Sequence, residues 1–119
     1  MLTPREVAGH VVYALDSKKA NEIKLLKTTD VTILADYFVI CTANSSTHLK
    51  TLSDEVEKVL EEQGELPLRR EGNRAGGWVL IDFGCVVAHL FLKDARDFYT
   101  LERLWADAEE IDIGDMVRG

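Results

Sequence analysis

The sequence predicts an α+β domain: a mixed β-sheet with helices packed on one of its faces. Two observations carry that prediction. Apolar residues recur at helical spacing in three separate stretches, and between these stretches lie short apolar or alternating runs of strand length. Read in order, the segments run α-β-β-α-β-β-β-α, without a repeat or a low-complexity tract.

Thr3-Pro4-Arg5-Glu6 has the form of a capping box with proline in the first helical position, and Val7, Val11, Ala14 and Leu15 follow at helical spacing. This first helix should end near Lys18. Ile23 and Leu25 alternate with Glu22 and Lys24 as a half-exposed strand, which Thr28-Thr29-Asp30 breaks. Tyr37-Phe38-Val39-Ile40-Cys41 is continuously apolar, the pattern of a central strand buried on both faces. Ser45 or Ser46 caps the next helix, whose stripe is Leu49, Leu52, Val56, Val59 and Leu60 and whose stop is Gly64. Leu66-Pro67-Leu68 with Arg69 and Arg70 reads as a short edge strand, because proline donates nothing to a ladder. Residues 72–77 read as a loop. Val79-Leu80-Ile81 and Val86-Val87-Ala88-His89-Leu90-Phe91 form a hairpin; a two-residue loop at Phe83-Gly84 sets Trp78 opposite His89 and Leu80 opposite Val87. Phe98, Leu101, Leu104, Trp105 and Ala108 line a third helix.

With 119 residues, 46% of them hydrophobic, the chain fits one domain, 1–119, with an acidic C-terminal tail from about residue 107. No charged stretch followed by an apolar run opens it, and no run is long enough to span a membrane, so a cytoplasmic protein is expected. Two cysteines, Cys41 and Cys85, make neither a disulfide framework nor a zinc site and read as small hydrophobes. The 21 Asp and Glu against 14 Lys and Arg give a net charge of −7. That balance disfavours nucleic-acid binding by phosphate neutralisation and favours a basic protein partner. Arg69, Arg70 and Arg74 form a local basic patch of a kind that can touch RNA.

Asp82 closes an apolar strand downstream of Asn44-Ser45-Ser46, which leads into a helix. Such a strand-end carboxylate with a serine corner is the skeleton of a nucleotidyl-transfer site, where two or three carboxylates hold divalent metal against phosphates. Positions 80 and 84 on the same strand face are Leu80 and Gly84, so the paired ligand is missing. No catalytic residue, metal or cofactor is therefore expected. Asp82 reads as a relic of such a site, a partner contact, or the residue that initiates the hairpin turn through its side chain. Ser45 and Ser46 read as helix caps. Trp78 is either a core residue under a loop or an interface anchor. His89 is either structural or part of a Trp-His-Asp patch with Trp78 and Asp82. Tyr99 and Arg103, one turn apart on the last helix, can face a common partner.

Ala35-Asp36-Tyr37-Phe38-Val39-Ile40-Cys41-Thr42, Ser45-Ser46, Arg70-Glu71-Gly72, Trp78-Val79-Leu80-Ile81-Asp82-Phe83-Gly84, His89 and Tyr99-Thr100-Leu101-Glu102-Arg103-Leu104-Trp105 together resemble the RsfS/Iojap family of ribosomal silencing factors. The resemblance covers nearly the whole chain in order. It implies a nucleotidyltransferase-like fold without the catalytic carboxylate set, often homodimeric. It also implies binding to protein fourteen of the large ribosomal subunit at the subunit interface, which blocks joining of the small subunit and represses translation when nutrients are short. On that reading the partner-binding residues are Trp78, Leu80, Asp82 and His89, with Tyr99 and Arg103 at the rim. Two other functions compete: a divergent metal-dependent nucleotidyltransferase using Asp82 and Asp36, and a large-subunit assembly factor that contacts ribosomal RNA through Arg69, Arg70 and Arg74.

Overall fold

The structure, a computed structural model, describes residues 3–27, 36–73, 77–92 and 109–111. The expected third helix, with Tyr99, Arg103 and Trp105, lies outside the described residues, as does Arg74.

Helix α1, Pro4–Ser17, starts where the capping box places it: the Glu6 N–H donates to Thr3 Oγ1 (3.1 Å) and the Thr3 N–H donates to Glu6 Oε1 (2.9 Å). Those bonds satisfy two of the donors that every helix start leaves open. Its inward stripe is Val7, Ala8, Val11, Val12, Ala14 and Leu15, all buried. Strand β1, Asn21–Lys27, runs antiparallel to β2, Tyr37–Ala43, with a register shift between Asn21 and Lys24 where Glu22 takes a φ of 49°. Helix α2, Ser46–Glu62, is capped by Ser45, whose hydroxyl accepts from the His48 N–H, and it buries Leu49, Leu52, Ser53, Val56 and Leu60.

Three more strands, β3 (Arg69–Asn73), β4 (Trp78–Asp82) and β5 (Val86–Leu92), form an antiparallel meander, and β6 (Glu109–Ile111) pairs with β1. The six-stranded sheet has the order β3-β4-β5-β2-β1-β6. Among the described strands only β2 and β5 pair in parallel, and the chain between them passes through α2, as a parallel connection requires. The expected α+β mixed sheet is thus the observed one.

Both faces of the central strands are buried. On one, Val39, Cys41, Ala43, Val79, Ile81, Ala88 and Leu90 pack beneath both helices. On the other, Leu26, Phe38, Ile40, Leu80, Val87 and Phe91 form a second cluster with Trp78 against it. At about 25 cal/mol per Å² of apolar surface, each fully buried large side chain contributes roughly 2 kcal/mol to the fold.

Two expectations need correction. The edge strand starts at Arg69, and Leu66 and Leu68 stay 65% and 74% exposed. Pro67 donates nothing to the ladder, which begins with the Leu68 N–H on the Asp82 carbonyl (2.7 Å) and continues through Gly72 into the predicted loop. The hairpin loop is Gly84-Cys85, one residue later than Phe83-Gly84, with the Phe83 N–H bonded to the Val86 carbonyl. Gly84 has a φ of 88°, which suits the first central position of a type II′ turn. Trp78 therefore lies opposite Phe91, and Leu80 opposite His89. The slip is two residues, an even number, so the predicted face of every side chain survives.

Gly72 fixes how closely β3 approaches β4. Its φ is 89°, and a Cβ there would collide with the Trp78 carbonyl oxygen and stand 3.0 Å from its indole ring. Gly72→Ala should accordingly destabilise the fold by about 2 kcal/mol, through both the backbone conformation and the clash. Chemical denaturation of the variant measures this, and an unchanged midpoint would contradict it.

Candidate functional site

Period-two geometry puts Trp78, Leu80 and Asp82 of β4 on the same sheet face as Val87, His89 and Phe91 of β5. The four residues named from sequence for the centre of the site are thus brought together. They are not equally accessible: Leu80 and His89 are buried at 9% and 7% exposure, whereas Trp78 and Asp82 are half-buried. Tyr99 and Arg103, the expected rim, lie outside the described residues.

Asp82 is held by two different groups. Its Oδ1 accepts from the Gly84 N–H at 2.7 Å, which closes the turn, and its Oδ2 accepts from Arg69 Nε at 3.2 Å. Arg69 also reaches Glu71 at 3.3 Å. The turn-initiating role of Asp82 is therefore real, and the carboxylate also ties the hairpin to the edge strand. Arg70 is engaged too, donating to Glu57 (3.0 Å) and to the buried Ser53 hydroxyl. Two members of the expected basic patch thus already pair with acidic groups of the chain itself.

The serine corner is elsewhere. Asp82 is level with Val87 and Phe38, whereas Ala43, just before Ser45, is level with Leu92. Five residues of strand separate the two levels, roughly 17 Å. The nucleotidyl-transfer skeleton suggested by sequence is therefore not assembled. Asp36 does lie at the Asp82 end, but on the other side of β5, two strand spacings or about 10 Å of backbone away. At the opposite end, Asn21, Thr42, Asn44, Ser45 and Ser46 line an open cleft of about 750 Å³. There the Asn44 N–H donates to His48 Nδ1 and His48 Nε2 donates to the Lys18 carbonyl, so the histidine joins the two helices.

His89 occupies an apolar cage. Its ring centroid lies 5.0 Å from that of Phe38, tilted 57°, and 6.2 Å from that of Phe91, nearly parallel at 4°. Neither ring nitrogen has a hydrogen-bond partner among the described residues. Burial pushes its pKa down to about 4, against the weaker opposing pull of the Asp82 carboxylate. The phenylalanines that form the cage were not singled out from sequence, and Arg69 and Gly72 were noted there for other reasons, the first as part of a basic patch and the second within a loop. For Phe91 a signal existed, because strand parity places it on the His89 face; Phe38 comes to that face only through the pairing of β2 with β5.

The buried imidazole sets a pH dependence. The unfolded chain takes up this proton near 6.5 and the native state only near 4, so the unfolded state binds more protons between those values. Stability from this group is complete above about pH 6.5 and falls as pH drops toward 4, by roughly 3 kcal/mol. His89→Leu should flatten that slope and, having no buried unpaired nitrogen, unfold no earlier than the parent at neutral pH. Unfolding curves across this pH range test it; an unaltered slope in the variant would count against it.

Comparison with known proteins places the chain in a family. The family profile described as "Ribosomal silencing factor during starvation" matches residues 2–118. The ribosomal silencing factor RsfS of Halalkalibacterium halodurans is 38% identical over 116 residues, covering 98% of this chain and 99% of that protein. A mouse protein named "Mitochondrial assembly of ribosomal large subunit protein 1" is 32% identical over 80% of this chain and 43% of its own length. A crystal structure of a Chromobacterium violaceum protein superposes with a TM-score of 0.85 at 33% identity, covering 88% of each chain. The chain belongs to the ribosomal silencing factor (RsfS) family.

Proposed function

We propose that the protein represses translation without catalysis: it binds protein fourteen of the large ribosomal subunit at the subunit interface and keeps the small subunit from joining, above all when nutrients are scarce. The observation that carries this reading is the family match across residues 2–118. The site supports it in kind. Both carboxylate oxygens of Asp82 are committed to structure, and the serine corner lies at the other end of the sheet, so the residues suit a contact surface better than phosphoryl transfer. A net charge of −7 complements a basic ribosomal protein. Steric blockade needs only a firmly seated domain of sufficient bulk, which acts in the cytoplasm.

Within that contact, Trp78 and Asp82 meet the partner and Tyr99 and Arg103 flank them. Leu80 and His89 back the surface from beneath, a role their burial favours over direct contact. The free protein is a homodimer in this reading. The sheet face turned away from the helices does not offer an apolar seat for it, because Phe38, Ile40, Val87 and Phe91 are already buried within one chain. The edge at β3, with Leu66 and Leu68 exposed beside it, is a better seat for the second copy.

Trp78→Ala should weaken binding to the isolated ribosomal protein by about 2 kcal/mol, as loss of a buried aromatic anchor does. Charge reversal at Arg103 should matter less, since rim charges are screened. Calorimetric titration of each variant measures both effects, with circular dichroism as the folding control and light scattering of the free parent reading a dimer mass. A folded Trp78→Ala that binds like the parent would overturn the site, and a monomer at high micromolar concentration would overturn the dimer.

A further inference from the structure

On the helix layer, Glu6, Gly9, His10 and Tyr13 follow one another at i, i+3, i+4 and i+7 along α1 and form a stripe beside the one that faces the sheet. Together with Val59, Glu62 and Gln63 from the end of α2 they line a groove of about 480 Å³. Three features of this groove are unusual for a surface that only meets water.

The first is its floor. Gly9 stands in the interior of α1, where glycine costs about 1 kcal/mol relative to alanine. Packing does not demand it, because a Cβ at that position would meet nothing within 4 Å. The missing side chain keeps the groove open. The second is its wall: Tyr13 is 48% exposed, and its ring borders the same space as half-buried Val59. The third is its charge. The last turn of α2 contains no basic residue and ends in Glu61-Glu62, although the C-terminal end of a helix already carries negative potential. Glu6 adds a second carboxylate at the groove, oriented by the Thr3 N–H and held ionised below the ordinary carboxylate range by that bond.

We propose that the groove between α1 and α2 is a docking slot for an arginine side chain of a basic protein segment. The aliphatic stem lies across Gly9 against Val59 and Tyr13, and the guanidinium meets the carboxylates of Glu6 and Glu62 at the negative end of α2. Arginine fits better than lysine because its planar cation stacks on an aromatic ring and pairs with carboxylates in a fixed fork. Nucleic acid is disfavoured, since its phosphates would face two carboxylates. The slot lies on the helix side of the sheet and Trp78 on the other, so it is a second contact surface, independent of the one proposed for the ribosomal protein.

The test is an NMR titration of the full-length protein with a capped peptide of alternating alanine and arginine, with a citrulline version as the neutral control. Amide shifts should concentrate at Gly9, His10, Tyr13 and Gln63. Affinity should drop at least tenfold for the citrulline peptide, for Glu62→Lys and for Gly9→Leu, and should not change for Trp78→Ala. Gly9→Ala supplies a readout that a structural role would not: it should raise the melting temperature while weakening the peptide. Shifts spread over the whole acidic surface, equal binding of the citrulline peptide or of Glu62→Lys, or a single-stranded oligonucleotide that shifts the same amides as strongly, would each overturn the proposal. Loss of binding in Trp78→Ala with these variants unaffected would place the arginine contact on the other face and overturn it as well.

Discussion

Strands β2 and β5 pair in parallel at the centre of the sheet with both faces buried, and this pairing organises the rest of the molecule. A parallel pair needs a long crossover, which supplies α2 and brings the helix layer to one face. The same pairing leaves β4 beside β5, so that Trp78, Leu80 and Asp82 share the second face with His89 and Phe91. The hairpin turn then fixes the site's geometry. Asp82 closes it through the Gly84 N–H and takes Arg69 from the edge strand, while Gly72 lets β3 approach the back of Trp78. Of the Asp82–Arg69 contact, the ion pair contributes little by itself, since Arg69 is 59% exposed. Its effect is positional.

Much of this was legible in the sequence because the signals were local. The capping box and Ser45 mark helix starts by hydrogen-bond chemistry confined to four residues, and the continuous apolar run from Tyr37 marks a strand buried twice. The hairpin was legible in kind and in face but not in register: Gly84 could serve either position of the loop, and the choice depends on Asp82 and Phe83, which bond across the turn. The ladder through Gly72 could not be read locally, since a glycine with positive φ inside a strand has the composition of a loop. Strand β6 had no signal, because three residues with two glutamates become a strand only by pairing with β1.

The site divides along the same line. Strand parity alone gathered Trp78, Leu80, Asp82 and His89 on one face, and that grouping is what the structure shows. Depth was not legible. A histidine in an apolar strand is more often structural than part of a surface patch, and the packing of Phe38 and Phe91 around His89 shows how deep it lies. Equally, Asp82 and the serine corner look like neighbours in a list of motifs. The register places them roughly 17 Å apart, a fact of topology that no motif carries.

In the proposed function a surface on this domain, and not a reaction, silences the ribosome. Purified small and large subunits, mixed in magnesium buffer with increasing amounts of the protein and no nucleotide, test it by the fraction of joined ribosomes on a density gradient. Joined ribosomes should decline to a plateau reached at about one copy per large subunit, with the protein comigrating with free large subunits. Undiminished joining at saturating protein, or a decline that requires added nucleotide, would contradict it.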